Sequence, residues 1–119
     1  MRGDEQVVAL LERARRIAVP AIVLGELRTG FALGRLAAEN ARELTAFLRN
    51  PVVEVVDVED ETATIYAEIV VALRKAGRPV PTNDIWIAAI AAREGIPVVT
   101  YDRHFADIGR IGAHVLRAP

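Results

Sequence analysis

Residues 81–105 read PTNDIWIAAIAAREGIPVVTYDRHF, and this stretch decides the fold. Thr82 to Arg93 is strongly apolar, opens on Pro81-Thr82 and meets Gly95, the expected C-cap of a helix. Pro97 to Thr100 reads as a buried strand, and Asp102 to Ile108 as a short helix. Toward the N-terminus the alternation repeats. Val52 to Val58 is rich in β-branched residues and reads as a strand. Glu59 to Lys75 follows as an amphipathic helix, stopped by Gly77 and Pro79. Strands alternating with helices imply an α/β fold with a parallel sheet and right-handed crossovers.

The first third of the chain is helical with one interruption. Residues 4–16 place Val7, Val8, Leu10, Leu11 and Ala14 at helical spacing, with Asp4 as the expected N-cap. Ile17 to Val19 is a short strand candidate closed by Pro20. Residues 21–33 read as a buried helix, Gly34 breaks the pattern, and 35–49 resumes it until Asn50-Pro51. His114 to Arg117 is the expected last strand. A doubly wound sheet usually opens with its most hydrophobic strand, whereas this sequence opens with a helix. The expectation is a sheet of about four strands, or one from which a strand is missing.

Composition narrows the possibilities without choosing among them. At 119 residues the chain is expected to be one domain, 1–119, with a single core. No apolar run approaches the roughly 20 residues of a membrane-spanning helix. MRGDEQ carries no apolar signal segment. The absence of cysteine excludes disulfides, thiolate metal sites and thiol catalysis, and the absence of serine excludes a serine nucleophile. A cytoplasmic protein is the expectation. Net charge is −1, and Lys75 is the only lysine beside many arginines. Arginine suits bidentate phosphate contacts, but an arginine bias equally marks a GC-rich genome, so the partner stays open.

Three carboxylates stand out against a chain that is 52% hydrophobic: Glu26, Asp84 and Asp102. Burying an ionised group without a partner costs on the order of several kcal/mol. Three acids converging on one point would need a counter-charge, and a divalent metal is the economical one. Each also has an ordinary explanation. Asp84 falls in the first turn of a helix, where the macrodipole favours a carboxylate and Thr82 or Asn83 could cap. Asp102 is an expected N-cap, though it lies just past the carboxyl end of a parallel strand, the edge where α/β sheets bind ligands. Glu26, among Ile22, Val23, Leu24 and Leu27, could share a polar stripe with Thr29 and pair with Arg28 or another arginine. It resists that reading most, and a functional role is expected. His104 reads as a surface residue, and neither it nor His114 looks catalytic. Trp86 and Phe105 read as core or dimer contacts.

The order of these pieces resembles the PIN-domain ribonucleases, specifically the VapC toxins of bacterial toxin–antitoxin pairs. VPAIVLGELRTGF (19–31), PTNDIWIAAIAAREGIPVVTYDRHF (81–105) and IGAHVLR (111–117) carry the likeness, which covers essentially the whole chain. It implies a three-layer α/β/α fold and hydrolysis of RNA phosphodiester bonds. Glu26, Asp84 and Asp102 are similar to the family's second, third and fourth acids, holding Mg²⁺ or Mn²⁺, with Thr100 as the supporting hydroxyl. Asp84 is expected to be the most direct ligand. The implied partners are RNA, a small VapB-like antitoxin and a second copy in a homodimer; no membrane is implied.

The sequence departs from the family at its start. PIN domains open with a hydrophobic strand ending in Asp, the first acid, and neither falls within the sequence from Met1. A gap or altered pairing beside Ile17–Val19 and weak metal binding and nuclease activity are therefore expected. The competing reading is a nuclease-inactive PIN-like module that binds an antitoxin or self-associates. Aspartyl-phosphate chemistry ranks lower, because it would want an acid pair on the first strand and a nearby lysine.

Overall fold

The computed structural model describes residues 5–116, with the backbone alone for His114 and Val115. Asp4 and Arg117, the expected first cap and last strand residue, lie outside the described residues. The fold is mixed α/β, and the chain divides into two compact units, Met1–Val56 and Asp57–Pro119.

The first unit runs α1 (Glu5–Arg13), β1 (Ile17–Pro20), α2 (Ala21–Leu33), α3 (Ala37–Leu48) and β2 (Val53–Val56). β1 and β2 pair in parallel, with Ile17 opposite Val53 and Pro20 opposite Val56. A parallel pair needs a long connection, and α2 with α3 supplies it. The turn into β2 is closed by Asn50, whose Oδ1 accepts the Val52 N–H at 3.1 Å. Leu44 of α3, Val19 and Val56 are the buried apolar residues here. Helix α2 corrects the sequence reading, because it buries none of its residues. A helix loses water only where another element covers it. Within this unit α2 touches β1 and α3, which leaves Ile22, Val23, Leu24, Leu27 and Phe31 half-buried. Leu33, at the helix end, is 86% exposed.

The second unit runs α4 (Asp60–Ala76), α5 (Thr82–Glu94), β3 (Val98–Thr100), a short 3-10 helix (Arg103–Asp107) and β4 (Ala113–Val115). Its core is continuous. Ile65, Ile69 and Leu73 of α4 pack with Ile85, Ala88 and Ala89 of α5, and Phe105 and Ile108 complete the cluster. The periodicity of α4 explains its contribution, since positions 62, 65, 69 and 73 form one helical stripe. Gly77 and Gly95 end α4 and α5 with φ of 66° and 68°, the left-handed cap that glycine adopts without steric cost. The expected cap at Gly95 is therefore present.

One buried charge ties the two helices together. The Arg93 side chain is only 6% exposed. Its Nη1 donates to the Asp57 carbonyl at 2.7 Å and to the Thr62 hydroxyl, while Nε donates to Glu94 at 3.2 Å. The fully buried Thr62 Oγ1 also accepts the Glu59 N–H at 3.0 Å, which satisfies an orphan donor at the start of α4. Near by, Tyr66 of α4 stacks on Trp86 of α5 with ring centroids 3.8 Å apart.

β3 and β4 pair in parallel from Val98 opposite Ala113 to Thr100 opposite Val115. Among the described residues the four strands thus pair two by two. No strand pairs with the second edge of β1 there. No helix among the described residues is long and apolar enough to cross a membrane.

Candidate active site

The second unit positions three of the four expected site residues at helix starts and a strand end. Asp84 occupies the first turn of α5. The residue before that helix is Pro81, which has no side chain able to cap, so neither Thr82 nor Asn83 serves as N-cap; both lie within the helix. Pro81 still contributes its carbonyl, which accepts the Ile85 N–H at 3.1 Å. The Asp84 carboxylate therefore stands beside first-turn N–H groups that no capping side chain satisfies, where the helix dipole favours negative charge. It is half-buried and engaged within the fold.

Thr100 and Asp102 act as a local pair. Thr100 ends β3, and its Oγ1 accepts the Asp102 N–H at 2.9 Å, bending the chain out of the strand. Asp102 then caps the 3-10 helix as expected, its Oδ1 accepting the His104 N–H at 2.9 Å. His104 Nδ1 lies 2.8 Å from the same oxygen. Thr100 so fixes the backbone of Asp102, and His104 fixes its carboxylate. The carboxylate stands just past the carboxyl end of a parallel strand, the edge where α/β sheets bind ligands. His104 is exposed as expected, yet its contact with Asp102 was not foreseen. The signal was Asp102-x-His104 immediately after a strand.

Glu26 lies in the other unit, on α2, and is exposed. The polar stripe weighed for it does not form. Thr29 bonds back to the Gly25 carbonyl at 2.8 Å, and among the described residues Glu26 has no ion pair with Arg28 or any other arginine. Nor is it buried: Glu26 is exposed and Asp84 and Asp102 are half-buried, so none of the three is wholly stripped of water. No group of three or more His, Asp or Glu side chains gathers to hold a metal ion among the described residues. Trp86 and Phe105 are packing residues, Phe105 in the core and Trp86 against Tyr66.

Comparison with known proteins settles what kind of scaffold carries these residues. Residues 2–111 match the PIN domain family. The chain belongs to the PIN domain family. Within it the resemblance is to the VapC type. Ribonuclease VapC5 of Mycobacterium tuberculosis is 33% identical over 103 residues, spanning 86% of this chain and 76% of that protein. Ribonuclease VapC4 of the same organism is 34% identical over 88 residues, 74% and 68% of the two chains. Solved structures agree. The VapBC2 complex of Rickettsia felis bound to a promoter DNA fragment superposes with a TM-score of 0.79 and 27% identity, covering 92% of this chain and 82% of that one. VapBC-5 of M. tuberculosis superposes at 0.68 with 33% identity, covering 87% and 82%. The PIN domain and VapC-type resemblance expected from residues 19–31, 81–105 and 111–117 is thereby established.

Proposed function

We propose that this PIN domain is a divalent-metal-dependent endoribonuclease toxin of the cytoplasm, forming a homodimer and neutralised by a small VapB-like antitoxin. The observation that carries the reading is its 33% identity to Ribonuclease VapC5 across 86% of the chain. Structural neighbours solved as VapBC complexes favour the antitoxin partner.

The residue chemistry supports the metal. Glu26, Asp84 and Asp102 offer hard oxygen donors, suited to Mg²⁺ or Mn²⁺, with no thiolate to compete. When bound, such an ion supplies charge neutralisation at the phosphodiester and acidifies a water for attack. The chain's own residues do the rest. Asp84 brings a carboxylate held at a helix start, Glu26 an exposed one, and Asp102 one that His104 orients while Thr100 holds its backbone.

The test is cleavage of RNA by the purified chain with Mg²⁺ or Mn²⁺. Chelation by EDTA should abolish cleavage, and Asp84→Asn should lower it by about two orders of magnitude or more, the scale of losing one main electrostatic stabiliser. Cleavage indifferent to EDTA would overturn the metal dependence. The second reading is a nuclease-inactive module that binds an antitoxin, in keeping with neighbours solved as VapBC complexes. Antitoxin binding without cleavage of any RNA would select it.

A further inference from the structure

Of the chain's tyrosine, tryptophan and phenylalanine residues, Tyr101 alone is exposed. Phe105 lies in the core, Tyr66 and Trp86 stack on each other, and Phe31 and Phe47 are half-buried. Tyr101 is 45% exposed. A single exposed aromatic is ordinary on a protein surface, but the place of this one is not. It stands between Thr100 and Asp102, in the turn that carries the chain off the carboxyl end of β3. A second observation lies on the other side of Asp102. Of the described arginines that follow α4, Arg78, Arg93 and Arg110 each pair with an acid. Arg103 is exposed and pairs with none among the described residues. Three consecutive positions thus offer an aromatic ring, a carboxylate and an uncommitted guanidinium, at the sheet edge where α/β folds bind ligands.

We propose that Tyr101 stacks an unpaired base of the RNA beside the nucleotide held at Asp102, while Arg103 takes a neighbouring phosphate. An aromatic ring and an arginine are the pair that single-stranded RNA calls for, one for the face of a splayed base and one for the backbone. Adjacent Cα atoms are about 3.8 Å apart, so the ring and the guanidinium both flank the carboxylate closely. Stacking uses a π face that every base presents, so it reads the strandedness of the RNA more than its sequence. A base inside a duplex has both faces covered by its neighbours and cannot lie on the ring. The proposal rests on the ribonuclease reading above and names the form of RNA that this site takes: unpaired at the point of cleavage.

Fluorescence anisotropy of the full chain with labelled oligoadenylate in EDTA tests binding apart from cleavage. The wild type should bind the single strand more tightly than the same strand paired with oligouridylate. Tyr101→Ala should weaken single-strand binding about tenfold, with helix content unchanged by circular dichroism. Tyr101→Phe, which keeps the ring and loses the hydroxyl, should bind as the wild type does. Arg103→Ala should lower the salt dependence by about one phosphate contact. With Mg²⁺ or Mn²⁺, Tyr101→Ala should raise KM for single-stranded RNA more than it lowers kcat. Binding that is no tighter for the single strand, or that Tyr101→Ala leaves unaltered, would overturn the proposal. So would a Tyr101→Ala chain that keeps RNA binding but dimerises more weakly in sedimentation equilibrium, since the ring would then serve a protein contact. A wild-type chain that binds as expected yet cleaves no RNA would overturn the ribonuclease reading and leave the stacking site in place.

Discussion

Helices α2 and α5 are both 13 residues long and both apolar, yet α5 buries Ile85, Ala88, Ala89, Ile90 and Ala91 while α2 buries nothing. The difference lies in what each helix meets. α5 is alanine-rich, so α4 can approach it closely and fill the space with Ile65, Ile69 and Leu73. α2 alternates bulky residues with Gly25 and Gly30, and a side chain added at either glycine would meet open space. Apolar content is thus a capacity for burial. A facing surface of the right shape is needed to use it.

The contrast predicts a gradient of mutational cost between the two units. Its upper end is Ile69→Ala, which empties part of the second unit's core. A loss of about 2–5 kcal/mol in urea unfolding is expected, and a loss near zero would break the comparison. Arg93→Ala comes next, because it removes a nearly buried guanidinium and with it the donor to the fully buried Thr62 hydroxyl. Roughly 1–3 kcal/mol should be lost by the same measurement. Arg93→Lys should not rescue it, since one ammonium cannot reproduce the fork. At the lower end stands Leu33→Ser in the first unit, expected within about 0.5 kcal/mol of the wild type. A larger loss there would show that α2 is covered in solution.

The second unit was the more legible in the sequence, and for physical reasons. Gly95 announced its cap because an L-residue seldom adopts that backbone angle, and Asp102 announced its own by following a strand. The parallel direction of β3 followed from the alternation of strands with helices, whereas the turn from Thr100 to Asp102 was not foreseen. What escaped was decided by partners distant along the chain. Arg93 drew no notice in the sequence, because its partners, the Asp57 carbonyl and the buried Thr62 hydroxyl, lie 36 and 31 positions away. Glu26 was conspicuous because its neighbours are apolar, and that prominence faded once α2 proved uncovered. The expected cap at Thr82 or Asn83 missed Pro81 by a residue or two, the ordinary uncertainty of a helix boundary.

The stacked Tyr66 and Trp86 have a use apart from packing. Trp86 is the only tryptophan in the chain, and it lies in the second unit, against α4. Its emission therefore reports that unit's unfolding alone, whereas far-ultraviolet circular dichroism sums the helices of both. Heating one sample while recording both signals would reveal whether the two halves melt together: coincident curves mean a single cooperative transition, and separated ones mean that each half has a melting temperature of its own.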